Sequence, residues 1–471
     1  MTEATVQPSP QRKQPSAAEL LRQLDRREIS AVELMTKVAE RMQSANRRLN
    51  ALVAENWTRS LEQAGRADAL RRSGSALPLL GLPVTVKDSI ETCDYPCTGG
   101  SHARAHFIPE RDAPSVARLR AAGAIIVGKT NVPEYSSSYE TDNLLFGRTR
   151  HPHDPERTAG GSSGGEGALL GADASIVGLG LDGGGSIRVP SHYCGTVGIR
   201  PTVGRVPDTG SWPRTRETGY RDLMCIGPMA RYVEDLILLL PVISGPDGMD
   251  PYAVPAPLGD PHGVDVRSLR IGFYDHDGLA RVSPQTAAAV ERAAALLAER
   301  GARVERVTPP DLSEATALFL MAAGADGGDR MRHDLAPAGG KHNAQLQALL
   351  DAFGSSLHLT DFFDLQERLF DFRRRYRAFA HDYDILICPV TTGPAPRHGQ
   401  PPWGIAPGDY DRYEGFNHSH ALSLAGMPVV AVPAGNQDGL PIGVQVIARP
   451  YEEHIALVAA LAVEADLRNA L

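Results

Sequence analysis

Apolar positions recur along this chain in two rhythms. Near the N-terminus, Leu20, Leu21 and Leu24 form one stripe, and Leu34, Met35, Val38 and Met42 form a second. Side chains three and four apart share a helix face, so residues 17–50 are expected to form two amphipathic helices. Ser30 stands ahead of Glu33 where the second stripe begins, the spacing of a reciprocal N-terminal cap. Further on, short apolar runs alternate with helical stretches. Residues 82–86 and 124–127 read as strands, with a helix between them over 114–122 that opens on Pro114. Residues 270–274 and 303–307 read as strands around a helix over 284–301. Residues 384–390, 429–433 and 442–447 read as buried strands, the last two separated by hairpin turn residues at 436–439. Strands separated by helical crossovers predict an α/β fold.

Two regions break these rhythms. Residues 158–187 hold three runs rich in Gly and Ser, at 160–165, 178–180 and 183–186. Glycine at such density marks backbone that approaches something closely. A plain linker is the competing reading, but Ile176, Val177, Leu179 and Leu181 place a strand-like core segment between the outer runs. Residues 315–415 have the loosest patterning, and insertions with substrate-facing loops are expected there.

Composition narrows the classes of function. The chain has 471 residues, 42% hydrophobic and 22% charged, which is ordinary for a soluble globular enzyme. A net charge of −8 provides no basic footprint for nucleic acid. One basic cluster, Arg373, Arg374, Arg375 and Arg377, reads as a solvated helix face. The five cysteines, Cys93, Cys97, Cys194, Cys225 and Cys388, are odd in number and lack the second ligand pair of a zinc site, so free thiols in a reducing compartment are expected. The leader, residues 1–15, is polar and has no apolar core of a signal peptide; it is expected to be disordered. The longest apolar run, 236–243, is too short to span a membrane. The chain therefore reads as cytoplasmic, without stable membrane insertion.

Two familiar patterns match and fail on context. Residues 160–164 satisfy G-x-S-x-G, but the residues before them are polar and proline-containing, where a nucleophile elbow needs a strand. Residues 178–183 satisfy G-x-G-x-x-G, but more glycine follows instead of a helix, and no acid stands about 20 residues further on.

The chemistry of amide hydrolysis fits better. A serine hydroxyl is a weak nucleophile and needs a base beside it. The tetrahedral oxyanion needs fixed donors, and unobstructed backbone N–H groups supply them. Asp182-Gly183-Gly184-Gly185-Ser186 offers three glycines directly before a serine. Ser186 as a mere cap for a following helix is the competing reading. Lys87 ends the apolar segment Leu82-Pro83-Val84-Thr85-Val86, and a desolvated lysine loses its proton readily. A salt bridge to Asp88 is the competing reading of that lysine.

These places together resemble the amidase signature family. Residues 81–88 look like its G-x-P-x-x-V-K-D segment, 160–165 like its G-G-S-S-G-G loop, and GLDGGGSIRVP at 180–190 like its G-T-D-x-G-G-S-I-R-x-P core, in the same order. Weaker likenesses at 128–131, 146–149, 198–202, 426–428 and 443–445 extend the match over most of the chain. Leu181 departs from the pattern, which often has Thr there.

The resemblance implies one large domain over 16–471, a central mixed β-sheet surrounded by helices, with a catalytic core at about 75–205 and a variable substrate-facing region at about 310–415. It implies a triad of Ser186 as nucleophile, Ser162 as relay on a cis peptide bond to Gly161, and Lys87 as base. The N–H groups of Gly183, Gly184, Gly185 and Ser186 would cradle the oxyanion, and Ser163, Asp182 and Arg188 would support the site. It implies no cofactor and no metal, a small-molecule amide as substrate, and is compatible with a homodimer. Residues 165–169, GEGAL, resemble the fatty-acid-amide branch more than the tRNA amidotransferase branch. The alternatives are a non-catalytic binding protein on the same fold and a glutamine amidotransferase subunit.

Overall fold

Eleven strands join in one mixed sheet in the computed structural model, which describes residues 14–214, 219–220, 222–406 and 413–469. In chain order these are β1 (Leu52–Glu55), β2 (Pro83–Lys87), β3 (Ile125–Thr130), β4 (Val177–Asp182), β5 (Val197–Arg200), β6 (Cys225–Ala230), β7 (Arg270–Phe273), β8 (Arg303–Arg306), β9 (Ile385–Pro389), β10 (Val429–Gln437) and β11 (Leu440–Ile447). Their order across the sheet is β1-β3-β2-β4-β6-β5-β10-β11-β9-β7-β8. Two parallel clusters, β3-β2-β4 and β9-β7-β8, are joined through the antiparallel strands β6, β5, β10 and β11. The mixed α/β sheet flanked by helices is the architecture expected.

Both faces of the sheet are covered, which explains strands that are apolar without alternation. In β9, Ile385 and Ile387 join the larger core with the helices Val233–Ile243, Pro284–Glu299 and Glu453–Asn469. Leu386 and Cys388 face the opposite way, into a second core with the helices Ala315–Ala323, Leu359–Ala380 and Asn417–Ala425.

Local signals were realised closely. The two N-terminal helices are Ala17–Asp25 and Ala31–Leu49, with every residue of the two stripes buried. Ser30 caps the second: Glu33 donates its N–H to Ser30 Oγ (3.1 Å), and the Ser30 N–H donates to Glu33 Oε2 (2.8 Å). The hairpin turn between β10 and β11 places Asp438 and Gly439 in the left-handed region at φ 53° and 81°, the backbone that a two-residue turn requires. The expected strand at 82–86 is shifted to end on Lys87, so the lysine is part of the sheet.

Other readings need correction. Residues 315–380 are largely helical, with Ala315–Ala323, Asp329–Leu335, Ala344–Ala352 and the long helix Leu359–Ala380, where loops were expected. The arginine cluster on the last of these is not merely solvated. Arg373 and Arg377 donate to the carbonyls of Leu424 and Ala425 at the end of the helix Asn417–Ala425 (3.0 and 2.9 Å), where cations offset the helix dipole. β5 and β6 were missed because β5 is short and β6 carries Gly227 and Pro228, which read as breakers. Most of the expected disordered leader, 1–13, lies outside the described residues. Its last two positions are anchored: the carbonyls of Gln14 and Pro15 accept from Tyr232 Oη (2.7 Å) and an Arg231 guanidinium nitrogen (2.8 Å). Among the described residues no helix is long and apolar enough to cross a membrane.

Candidate active site

The parallel strands β2 and β4 lie side by side and bring the lysine end of one against the glycine-rich end of the other. Lys87 is fully buried. Its Nζ donates to Ser162 Oγ at 2.5 Å and to the Leu181 carbonyl at 3.2 Å. No salt bridge to Asp88 forms. The Asp88 carboxylate turns away and accepts from the Thr98 N–H (3.2 Å) and the Thr98 hydroxyl. Burial pushes the Lys87 pKa down to about 7, against the pull of the Asp182 charge.

Ser162 follows a cis peptide bond from Gly161 and is itself buried. Ser163 joins the two serine-bearing loops, donating its N–H to the Ser186 carbonyl at 3.0 Å. Leu181, the departure from the family pattern, packs its side chain into the main core. Only its backbone meets the site, so a threonine hydroxyl is not needed to hold Lys87.

Asp182 organises the turn around Ser186. Its carboxylate accepts from the N–H groups of Gly185 (2.8 Å), Ile187 (3.0 Å) and Arg188 (3.3 Å). The Arg188 guanidinium closes on it at 2.9 Å. Burial alone would raise the Asp182 pKa; the Arg188 and Arg200 charges overcome this and hold it well below the usual carboxylate range. Arg188, also fully buried, reaches on to Gln445 Oε1 (2.7 Å), Ser423 Oγ (2.7 Å) and the Ser419 carbonyl (3.0 Å).

The N–H groups of the glycine turn are not all engaged alike. The Gly185 N–H is engaged by Asp182, while those of Gly183, Gly184 and Ser186 have no partner among the described residues. The same three residues, with Ser162, line a cavity of about 660 Å³, and Gly185 does not. Gly185 has φ +130°, a backbone that L side chains rarely adopt. Ser186 does not cap the next helix, Arg188–Cys194, whose N-cap is Ile187. No hydrogen bond joins the Ser162 and Ser186 hydroxyls, although both residues line the cavity. The rest of the wall is mostly apolar, with Met224, Phe319, Leu320, Met331, Phe353 and Phe362. Several of these come from the region 310–415, which was expected to face substrate.

Sequence reasoning passed over Glu166 and Tyr139. Glu166 is an acidic side chain directly after the glycine-rich run 160–165, and that was its available signal. It is buried beneath the sheet, accepts from Thr85 Oγ1 (2.6 Å) and Thr130 Oγ1 (3.2 Å), and has its pKa raised to about 7 by burial. Gly178 in β4 leaves it room, since a Cβ there would lie 2.2 Å from Glu166 Oε1. That accounts for the first glycine of the chance G-x-G-x-x-G match. Tyr139 donates its hydroxyl to the Gly184 carbonyl at 2.7 Å.

A family model described as Amidase matches residues 33–457 of the chain. The chain belongs to the amidase signature family. This amidase is 34% identical to a glutamyl-tRNA(Gln) amidotransferase subunit from Thermus thermophilus, over 95% of this chain and 96% of that one. It is also 34% identical to the indoleacetamide hydrolase of Bradyrhizobium diazoefficiens, over 93% of this chain and 83% of that one. Among solved structures, a component of a vestigial complex bearing on the origins of an s-triazine catabolic enzyme superposes with a TM-score of 0.86 at 31% identity, covering 96% and 98% of the two chains. The fold of this amidase is thus the family's fold, and its chemistry is that of an amide hydrolase.

Proposed function

We propose that this amidase hydrolyses a carboxylic amide through a Ser186 acyl-enzyme, with Ser162 as proton relay and Lys87 as base. The observation that carries this reading is the 2.5 Å contact between a buried, depressed-pKa lysine and Ser162. Uncharged Lys87 takes the proton of Ser162, and Ser162 takes that of Ser186 as the latter attacks the carbonyl. The step requires the two hydroxyls to come within hydrogen-bond reach of one another. The oxyanion is received by the N–H groups of Gly183, Gly184 and Ser186, the three without a partner among the described residues. Ser162 returns a proton to the departing nitrogen, and water then releases the acid from Ser186. Ser163, Asp182 and Arg188 hold the two loops in place.

The wall of the cavity selects the substrate class. Phenylalanine, leucine and methionine side chains extend from the serines, so the reading is an amide with a bulky apolar group, aryl or alkyl. A second reading, a glutaminase subunit of a tRNA-dependent amidotransferase, is favoured by the likeness to the Thermus thermophilus protein. Of the cations on the cavity wall, Arg214 and Arg330, the latter is turned toward Asp334 (3.3 Å), which weakens its claim on a substrate carboxylate. The five cysteines are free thiols, which suits a reducing compartment and supports a cytoplasmic location.

A panel of amides decides between the readings. An arylacetamide or medium-chain alkyl amide should exceed glutamine in kcat/KM by about a hundredfold, the scale set by burying a matching apolar group. Equal or better turnover of glutamine would favour the amidotransferase reading instead.

A further inference from the structure

Gly184 and Gly185 share one peptide unit, and both of its edges are held. The Gly185 N–H donates to Asp182 Oδ1 at 2.8 Å, and the Gly184 carbonyl accepts from Tyr139 Oη at 2.7 Å. The Tyr139 oxygen also meets His420 Nε2 at 2.7 Å, and His420 Nδ1 meets Thr316 Oγ1 at 2.9 Å. Once the Tyr139 hydroxyl donates to the Gly184 carbonyl, the protons on His420 and Thr316 follow. A carbonyl can only accept, so the Tyr139 proton points at Gly184, and the Tyr139 oxygen must receive the His420 Nε2 proton. The neutral imidazole then has a bare Nδ1, to which the Thr316 hydroxyl donates. Burial keeps His420 in that neutral form, with its pKa lowered to about 3.

The chain of contacts is rigidly backed. The Tyr139 ring stacks on Phe416 with centroids 3.9 Å apart, and His420 stacks on Phe319 at 4.2 Å. Thr316 is fixed through its N–H, which donates to Asn417 Oδ1 at 2.9 Å; its one hydroxyl proton goes to His420, so the 2.9 Å contact of its oxygen with Asn417 Oδ1 carries none. Gly184 lies against this assembly: a Cβ on it would sit 2.4 Å from Phe319 and 2.8 Å from the Tyr139 oxygen.

We propose that Tyr139 is a positioning residue of the hydrolysis, holding the Gly184 carbonyl so that the flanking N–H groups of Gly184 and Ser186 are aimed at one oxyanion. The proposal rests on the Ser186 acyl-enzyme reading. Three consecutive glycines have no side chains to fix their peptide planes, so the orientation must come from outside the turn. Asp182 restrains one edge of the plane. Tyr139 restrains the other, and His420 and Thr316 keep the Tyr139 proton directed at the carbonyl. The effect belongs to the transition state, because the free N–H groups gain most where negative charge develops.

The test compares the parent enzyme with Tyr139→Phe, His420→Phe and His420→Gln on an anilide substrate, with a trifluoromethyl ketone of the same acyl group as probe. Addition of Ser186 Oγ to that ketone forms a hemiketal whose oxyanion occupies the donor set. Tyr139→Phe should lower kcat about tenfold or more with KM within about twofold, and weaken ketone inhibition by the same factor. His420→Phe should move both quantities in the same direction. His420→Gln, which can still donate to Tyr139, should recover most of what His420→Phe loses. Full kcat in Tyr139→Phe would overturn the proposal, as would a loss confined to KM with ketone inhibition unchanged. If Tyr139→Phe melts early, the His420 pair decides, and equal losses in His420→Phe and His420→Gln count against the relay. Mass-spectrometric mapping of a fluorophosphonate adduct in the parent separates the two levels. An adduct away from Ser186 removes the premise and the proposal together, whereas an adduct on Ser186 with unaltered variant kinetics defeats the role of Tyr139 alone.

Discussion

The Lys87 amine lies 2.5 Å from the Ser162 hydroxyl, where neither side chain reaches bulk water. A lysine in such a place is costly to charge, and that sets the pH behaviour. With its pKa near 7, Lys87 is an ammonium in acid and cannot accept a proton. The kcat/KM of the parent should rise with pH through about 7 and level off above it. A rate profile flat across that range would show that Lys87 is not the base.

The same depression couples to stability. In the unfolded chain Lys87 keeps its ordinary value of 10.5, so between about 7 and 10.5 folding releases a proton and stability grows with pH. Below that window both states carry the proton, and the full penalty of burying the charge is present. Urea midpoints should therefore rise from pH 7 to pH 9 in the parent relative to Lys87→Met. The comparison cancels other buried groups, such as Glu166 and Asp235, whose raised values would otherwise contribute.

Loss of the relay serine or of the base should silence the enzyme without unfolding it. Ser162→Ala and Lys87→Met are each expected to lower kcat about a thousandfold or more, as members of a unit whose deletions do not add. The double variant should be no slower than either single one. Steady-state rates with thermal melts as a control make this check.

Arg188 acts on stability as well as on the turn. Its removal leaves the buried Asp182 charge with only the more distant Arg200, at 3.7 Å, and breaking a buried ion pair costs about 3–5 kcal/mol. Arg188→Met should lower the denaturant-derived stability by that amount and take the activity with it. Arg188→Lys should rescue poorly, because one ammonium cannot reproduce contacts to Asp182, Gln445, Ser423 and Ser419.

Gly184 has no space for a methyl group. A Cβ would lie 2.4 Å from the Phe319 ring, and crowding of a packed site typically costs about 1–3 kcal/mol. Gly184→Ala should retain the fold while losing most of kcat. Gly184→Ala combined with Phe319→Leu should regain part of the lost melting temperature but little of the rate, because the donor remains displaced. Recovery of full activity in that pair would place the defect in packing alone.

Much of the candidate site was legible because its parts lie in three short motifs. Lys87 was visible as a charge at the end of an apolar strand, and Ser186 as a serine behind three glycines. What escaped was long-range. The link from Tyr139 to His420 spans 281 residues, and the reach of Arg188 to Gln445 spans 257. No local pattern encodes such pairings. The helices of 315–380 were misjudged because the helix Ala315–Ala323 is apolar on most sides and shows no clean stripe. β6 was hidden by Pro228, which sits opposite Leu179 in the middle of the sheet. The engagement of the Gly185 N–H by Asp182 is likewise a matter of turn geometry that glycine content alone does not reveal.

The most direct measurement is to treat the enzyme with a fluorophosphonate, digest it and locate the adduct by mass spectrometry. The account predicts a single stoichiometric adduct on Ser186, absent from Ser186→Ala and slowed strongly in Lys87→Met. An adduct on another residue, or undiminished amide hydrolysis by Ser186→Ala, would contradict it.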